Sequence, residues 1–373
     1  YDPMGRLRTV SKDGTLVEEY QYDSVGTRIY EMNAPRGIAG RSISYDDEDH
    51  LLTAGDAVYQ YDLDGYLTTR TVGTEPPYEV TSYLYSSRGE LLRVNLPSGR
   101  VIEYIHDPLG RRIAKKVDGI ITEKYLWQGL ARLLATYDGT DNLLMRFLYA
   151  DGRMPVAMER GGALYYLTYD QVGTLRVVAD GSGSVVKRVE YDSFGNILAD
   201  TDPTLDVPFG FAGGLHDRDT GLVRFGFRDY DPNTSRWTAK DPIGFAGGNI
   251  DLYGYVLSDP INWLDPLGLR LSSAQQFTIS TISAVGAVVG SVISIGNPMG
   301  AAAGGALAAA VATRFMGGTW SDVGKNFLVG AATGFLGQGF ANLLVGTPMH
   351  AYRAAALTGL FSGLMGAVSS PCP

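Results

Sequence analysis

A chain of 373 residues, 45% hydrophobic and 19% charged, is long enough for two or three domains with a large buried core. Its net charge of -9 speaks against nucleic-acid binding, which requires a basic surface. A single cysteine, Cys372, excludes an internal disulfide framework, and four scattered histidines leave no zinc set and no cofactor motif.

The charge is unevenly spread. From Arg270 onward the charged side chains are Arg270, Arg314, Asp322, Lys325 and Arg353, a net +3, which leaves -12 on the residues before them. An acidic body therefore joins a sparse, apolar tail. The chain opens at Tyr1 inside a repeated pattern, without Met or a basic, apolar leader, which predicts a piece of a longer protein with any export module upstream.

The body is repetitive. "YDPMGRL" (1), "YQYDSVGTRI" (20), "YDDEDHLL" (45), "YQYDLDGYL" (59), "YLYSSRGELL" (83), "YIHDPLGRRI" (104), "YLTYDQVGTL" (166) and "YDSFGNIL" (191) share one frame: Tyr-x-Tyr-Asp, two residues, Gly, one residue, an aliphatic. Tyr-x-Tyr puts two aromatics on one face of a strand, Asp with Gly makes the turn, and the aliphatic opens the return strand. Each unit is a short hairpin that cannot bury its aromatic face alone, so the units must stack into an extended sheet.

These repeats, followed by "RDYDPNTSRWTAKDPIGFAGGNIDLYGYVLSDPINWLDPLGL" (228 to 269), resemble the rearrangement-hotspot (RHS), or YD-repeat, family. The resemblance covers about the first 269 residues. It implies a mainly β fold, a hollow hairpin shell closed by this block and followed by a variable toxin domain. The expected organisation is an incomplete shell over 1–227, a core block over 228–269, and an apolar, α-helical tail over 270–373.

The block is rich in carboxylates: Asp229, Asp231, Asp241, Asp259 and Asp265, most of them followed by Pro. Asp231, Asp259 and Asp265 read as turn formers, because Asp caps local backbone and Pro fixes φ. For Asp229 and Asp241 the resemblance implies more. Self-cleaving members of the family use an aspartate pair, assisted by a preceding arginine, to cut just after the Asp-Pro-x-Gly-Leu motif. The matching positions are Arg228, Asp229 and Asp241, and the scissile bond joins Leu269 to Arg270. Two carboxylates held close share a proton, so one can activate water while the other protonates the carbonyl oxygen or leaving amine. Arg228 would orient one of them.

The tail has four apolar stretches, 277–296, 299–318, 327–346 and 354–368, separated by Asn297-Pro298, Gly317-Gly318 and Thr347-Pro348. The first three have the length of membrane-crossing helices, although Gly, Ala and Ser make them only marginally hydrophobic. Each stretch carries a GxxxG, at about the frequency the glycine content gives by chance. The tail has no Glu, one Asp and one His, His350, too few groups for a nuclease, deaminase or ADP-ribosyltransferase centre.

The leading expectation is therefore a secreted antibacterial effector whose shell encloses its own tail and frees it by single-turnover aspartyl-type self-cleavage. The tail would act at a target bacterial membrane as a pore-forming or depolarising toxin. Its implied partners are a cognate immunity protein and a secretion-apparatus component or chaperone, as in type VI secretion. Two alternatives stand beside it: a packing or translocation segment for an enzymatic toxin beyond Pro373, and a YD-repeat adhesion or surface protein.

Overall fold

The structure, a computed structural model, describes residues 1–150, 153–247, 250–269 and 272–273. The chain divides into two compact units, Tyr1–Leu271 and Ser272–Pro373. Arg270 and the four apolar stretches of the tail, expected to be helical, lie outside the described residues.

The first unit is β throughout, apart from short 3-10 turns. A 19-stranded sheet runs from Thr9–Lys12 to Ile197–Asp200. Each strand pairs antiparallel with its neighbours in sequence, as in the first hairpin (Thr9↔Glu19) and the last (Val189↔Asp200). This is the stacked-hairpin ribbon that the repeats predict, and the turns show why it forms.

In "YQYDSVGTRI" the Asp23 carboxylate accepts the backbone N–H groups of Val25, Gly26 and Thr27 at 3.0, 2.8 and 2.8 Å. Gly26 takes φ +102°, a conformation that an L side chain resists. Asp62, Asp107, Asp170 and Asp192 repeat the arrangement, each accepting the N–H groups two and four residues on. Beyond the turn, Leu67, Leu91 and Leu175 lie opposite Tyr61, Tyr85 and Tyr169, each after a one-residue register shift.

The buried face of the ribbon is covered by the chain's own later segment. Leu205, Val207, Phe209 and Leu215 pack with Tyr125, Phe147, Met158, Leu167 and Val178, while Leu222 joins Leu91, Val94, Ile102 and Tyr104. Polar contacts pin the same segment: Tyr253 Oη donates to Gly65 O at 2.7 Å, and Tyr104 Oη to Asp217 at 2.7 Å. Each such apolar side chain contributes about 1.5–3 kcal/mol on full burial. The repeat tyrosines Tyr20, Tyr59 and Tyr104 are thus core residues of this unit.

Within the covering segment lies a four-stranded antiparallel sheet of Leu215–His216, Val223–Phe225, Arg228–Asp231 and Arg236–Trp237. The boundary expected between 227 and 228 falls in its tight turn, where Phe225 faces Arg228. Phe225, Tyr230, Trp237 and Tyr255 form an aromatic cluster with ring centroids 4.5 to 6.2 Å apart.

Candidate self-cleavage site

Arg228–Asp231 is a strand, so successive side chains point to opposite faces. Arg228 and Asp229 consequently enter different environments.

On one face Asp229, 1% exposed, receives Arg112 Nη2 at 2.9 Å and Arg224 Nη1 at 2.7 Å. Burial pushes its carboxyl up, but the two guanidiniums outweigh burial and hold it below the usual aspartate range. Both carboxylate oxygens are engaged. Arg112 also lies over the Tyr104 ring at 3.5 Å.

On the other face Arg228 is the centre of a different constellation. Its Nη2 is 2.9 Å from Asp241 Oδ2 and 3.5 Å from Asp265 Oδ2. Its Nε donates to Gly268 O at 2.5 Å and its Nη1 to Leu252 O at 3.0 Å. The guanidinium stacks on Trp237, 4.3 Å from the ring centroid. Asp265 Oδ1 accepts the N–H of Leu269 at 2.9 Å. Burial pushes the Asp241 carboxyl up, opposed by the Arg228 charge and by the hydrogen bond from the Ile243 N–H.

The segment Leu267–Leu269 is held against this constellation by backbone. Phe227 N–H donates to Leu267 O at 2.9 Å. A Cβ on Gly268, at φ +67°, would lie 2.6 Å from Phe225 O, so only glycine permits so close an approach.

The structure therefore brings Arg228, Asp241, Asp265 and the Gly268–Leu269 backbone together. Asp229 is on the opposite face: its ionic partners are Arg112 and Arg224, while that of Asp241 is Arg228. Arg270 is outside the described residues. Asp231 and Asp259 serve turns, accepting the N–H groups of Asn233 and Asn262.

Sequence reasoning read Asp265 only as a turn former and did not single out Arg112 or Arg224. Two of these left a trace. Asp265 precedes Leu269 by four residues, the spacing at which the repeat aspartates take a backbone N–H. Arg112 occupies the slot where the repeats place their aliphatic, as does Arg28, and both are buried against the covering segment. Arg224 carries no comparable signal.

The family model for the teneurin YD-shell matches residues 1–260. The chain belongs to this YD-shell family. Mouse teneurin-3 is 32% identical over 299 residues, 74% of this chain and 11% of that protein. The double-stranded DNA deaminase toxin A of Burkholderia cenocepacia (strain H111) is 30% identical over 312 residues, 74% of this chain and 21% of that protein. The chain thus spans about a tenth of the teneurins it matches and about a fifth of the toxin. Among solved structures, the Photorhabdus luminescens Tc holotoxin pore aligns with 19% identity and a TM-score of 0.41, over 70% of this chain and 17% of that one.

Proposed function

We propose that this chain is the closing end of the shell of an RHS-type toxin and that it cuts itself between Leu269 and Arg270. The working carboxylates are Asp241 and Asp265, Arg228 orients them, and Asp229 anchors the strand that carries Arg228. One observation carries this reading: a single guanidinium contacts both carboxylates and the Gly268 carbonyl, while Asp265 holds the Leu269 N–H.

The roles arise from the environments. Arg228 favours an ionised carboxylate, and burial favours a protonated one, so the pair can hold one proton between them. The ionised partner takes a proton from water as it attacks the Leu269 carbonyl carbon. The protonated partner delivers its proton to the Arg270 nitrogen as the C–N bond breaks, leaving a carboxylate on Leu269 and an amine on Arg270. Arg228, by gripping Gly268, keeps the segment from drifting out of reach.

The segment that the cut separates from the shell is the toxin tail, secreted with the shell and acting at the target membrane. The similarity to a bacterial deaminase toxin supports a toxin context. The near absence of acids and histidines after Leu269 favours membrane action over enzymatic chemistry.

Denaturing electrophoresis and N-terminal sequencing of the purified chain test the cut. The wild type is expected to give two fragments, the smaller beginning at Arg270. Asp241→Asn and Asp265→Asn are expected to give one uncut chain, and efficient cutting in either variant overturns the assignment.

A further inference from the structure

A cavity of about 30 Å³ opens beside the anchor of Asp229. Its lining includes Arg111, Arg112, Arg153 and Arg224, with Gly213, Gly214 and Gly226. Four arginines thus line one small space, of which Arg111 is paired with Asp107 at 2.6 Å. Asp229 is shared by Arg112 and Arg224, with the charges of Asp217 and Glu90 acting on them from further off. Arg153 instead donates to the backbone carbonyls of Ala212 and Gly213, at 2.7 and 3.3 Å.

The Nε atoms of Arg112, Arg153 and Arg224 are all buried without a hydrogen-bond partner. Buried polar groups are nearly always satisfied, so each of these donors calls for a partner. The imbalance also acts on neighbouring groups. Burial, with no described carboxylate to oppose it, pushes Arg153 down to about 10, and burial together with Arg112 and Arg224 pushes His106 down to about 3.

The glycines of the wall let neighbouring side chains pack against bare backbone. A Cβ on Gly213 would lie 2.3 Å from Met154 Sδ and 2.9 Å from Arg153 Nη2, and one on Gly214 would lie 2.4 Å from Val223.

We propose that this cavity is a binding site for one small oxyanion, a phosphate or a carboxylate. Arg153 has no carboxylate partner among the described residues and Arg112 and Arg224 share one, so a single anion would offset unpaired positive charge and could accept charge-assisted hydrogen bonds from these guanidiniums. The volume is about two to three times that of one water probe, room for a small oxyanion group rather than a cofactor. Bound there, the anion would tie the Ala212–Gly213 turn, through Arg153, to the small sheet that carries Arg228.

Calorimetric titration of the full chain with inorganic phosphate, at constant ionic strength set with chloride, tests the site. The expected result is saturable one-to-one binding. It should weaken about tenfold in Arg153→Gln and largely return in Arg153→Lys, with unchanged far-ultraviolet circular dichroism in both. Acetate displacing phosphate at equal concentration identifies a carboxylate as the better ligand, and failure to displace identifies a tetrahedral oxyanion. A response no larger than that to chloride, or phosphate binding unchanged in Arg153→Gln, overturns the proposal. Because the Arg153 guanidinium donates to the Ala212 and Gly213 carbonyls and has no assigned part in the cut, self-cleavage is expected to persist in these variants, which separates this site from the cutting reaction.

Discussion

At the residue scale, Asp229 and Asp241 show how one residue type takes two roles. Asp229 is the counter-ion of two buried arginines, and removing one partner of a buried ionic network leaves uncompensated charge. Asp229→Ala is therefore expected to destabilise the first unit by about 3–5 kcal/mol, as read by denaturant unfolding. Asp241→Asn should cost measurably less, because Arg228 retains Asp265, Gly268 and Leu252 as partners. Equal losses would place both aspartates in the same structural role.

His106 offers a pH test of the same neighbourhood. It stays neutral in the folded chain until about pH 3, whereas an unfolded histidine takes a proton near 6.5. Between those values the unfolded state binds more protons, so stability is present above pH 6.5 and is lost as the pH falls. The slope approaches about 1.4 kcal/mol per pH unit for one proton. The groups facing the ring are Arg112, Arg224, Asp229 and Arg88. In His106→Phe the fall in Tm between pH 6.5 and 5 should be shallower than in wild type, and a parallel fall would remove His106 from the account.

At the element scale, the closing segment is a strip of backbone held against the turn before Arg228. Gly268 makes that possible: with alanine the new methyl would meet Phe225 O at 2.6 Å and Arg228 N at 3.1 Å, on a backbone already at φ +67°. Strain of this kind costs about 1–3 kcal/mol. Gly268→Ala is expected to slow cutting at least tenfold in a gel time course while Tm changes little, because only the strip is displaced. A wild-type rate would show that the close packing of Gly268 does not matter to the reaction.

The hairpins belong to the same scale, and they were legible because their chemistry is local. An aspartate that accepts N–H groups two to four residues on, and a glycine at positive φ, need no distant partner. The buried arginines of the repeats were less legible, since Arg28 and Arg112 stand where an aliphatic is usual and their partners, Thr234 O and Asp229, lie far along the chain.

At the scale of the whole molecule, the first unit buries its ribbon face under its own segment from Leu205 to Leu264. The tail proposal has a separate test. Apolar stretches this poor in charge should not stay soluble when exposed, so the two fragments are expected to co-elute on native sizing after the cut. Once isolated and added to lipid vesicles, the tail should dissipate an imposed potential. A soluble tail that separates freely, or one that leaves the potential intact at every ratio to lipid, would favour the packing-segment alternative.

By itself the sequence determined the hairpin frame, the turn at each Asp and Gly, the closing block and the break in charge at Leu269. These depend on contacts within a few residues or on composition. Only the tertiary structure decided which carboxylates meet. Strand geometry sends Arg228 and Asp229 to opposite faces. Folding then carries Asp241 and Asp265 to Arg228 across 13 and 37 positions, and Arg112 to Asp229 across 117. Encounters over such separations are set by the path of the sheet and its covering segment, which no local spacing encodes.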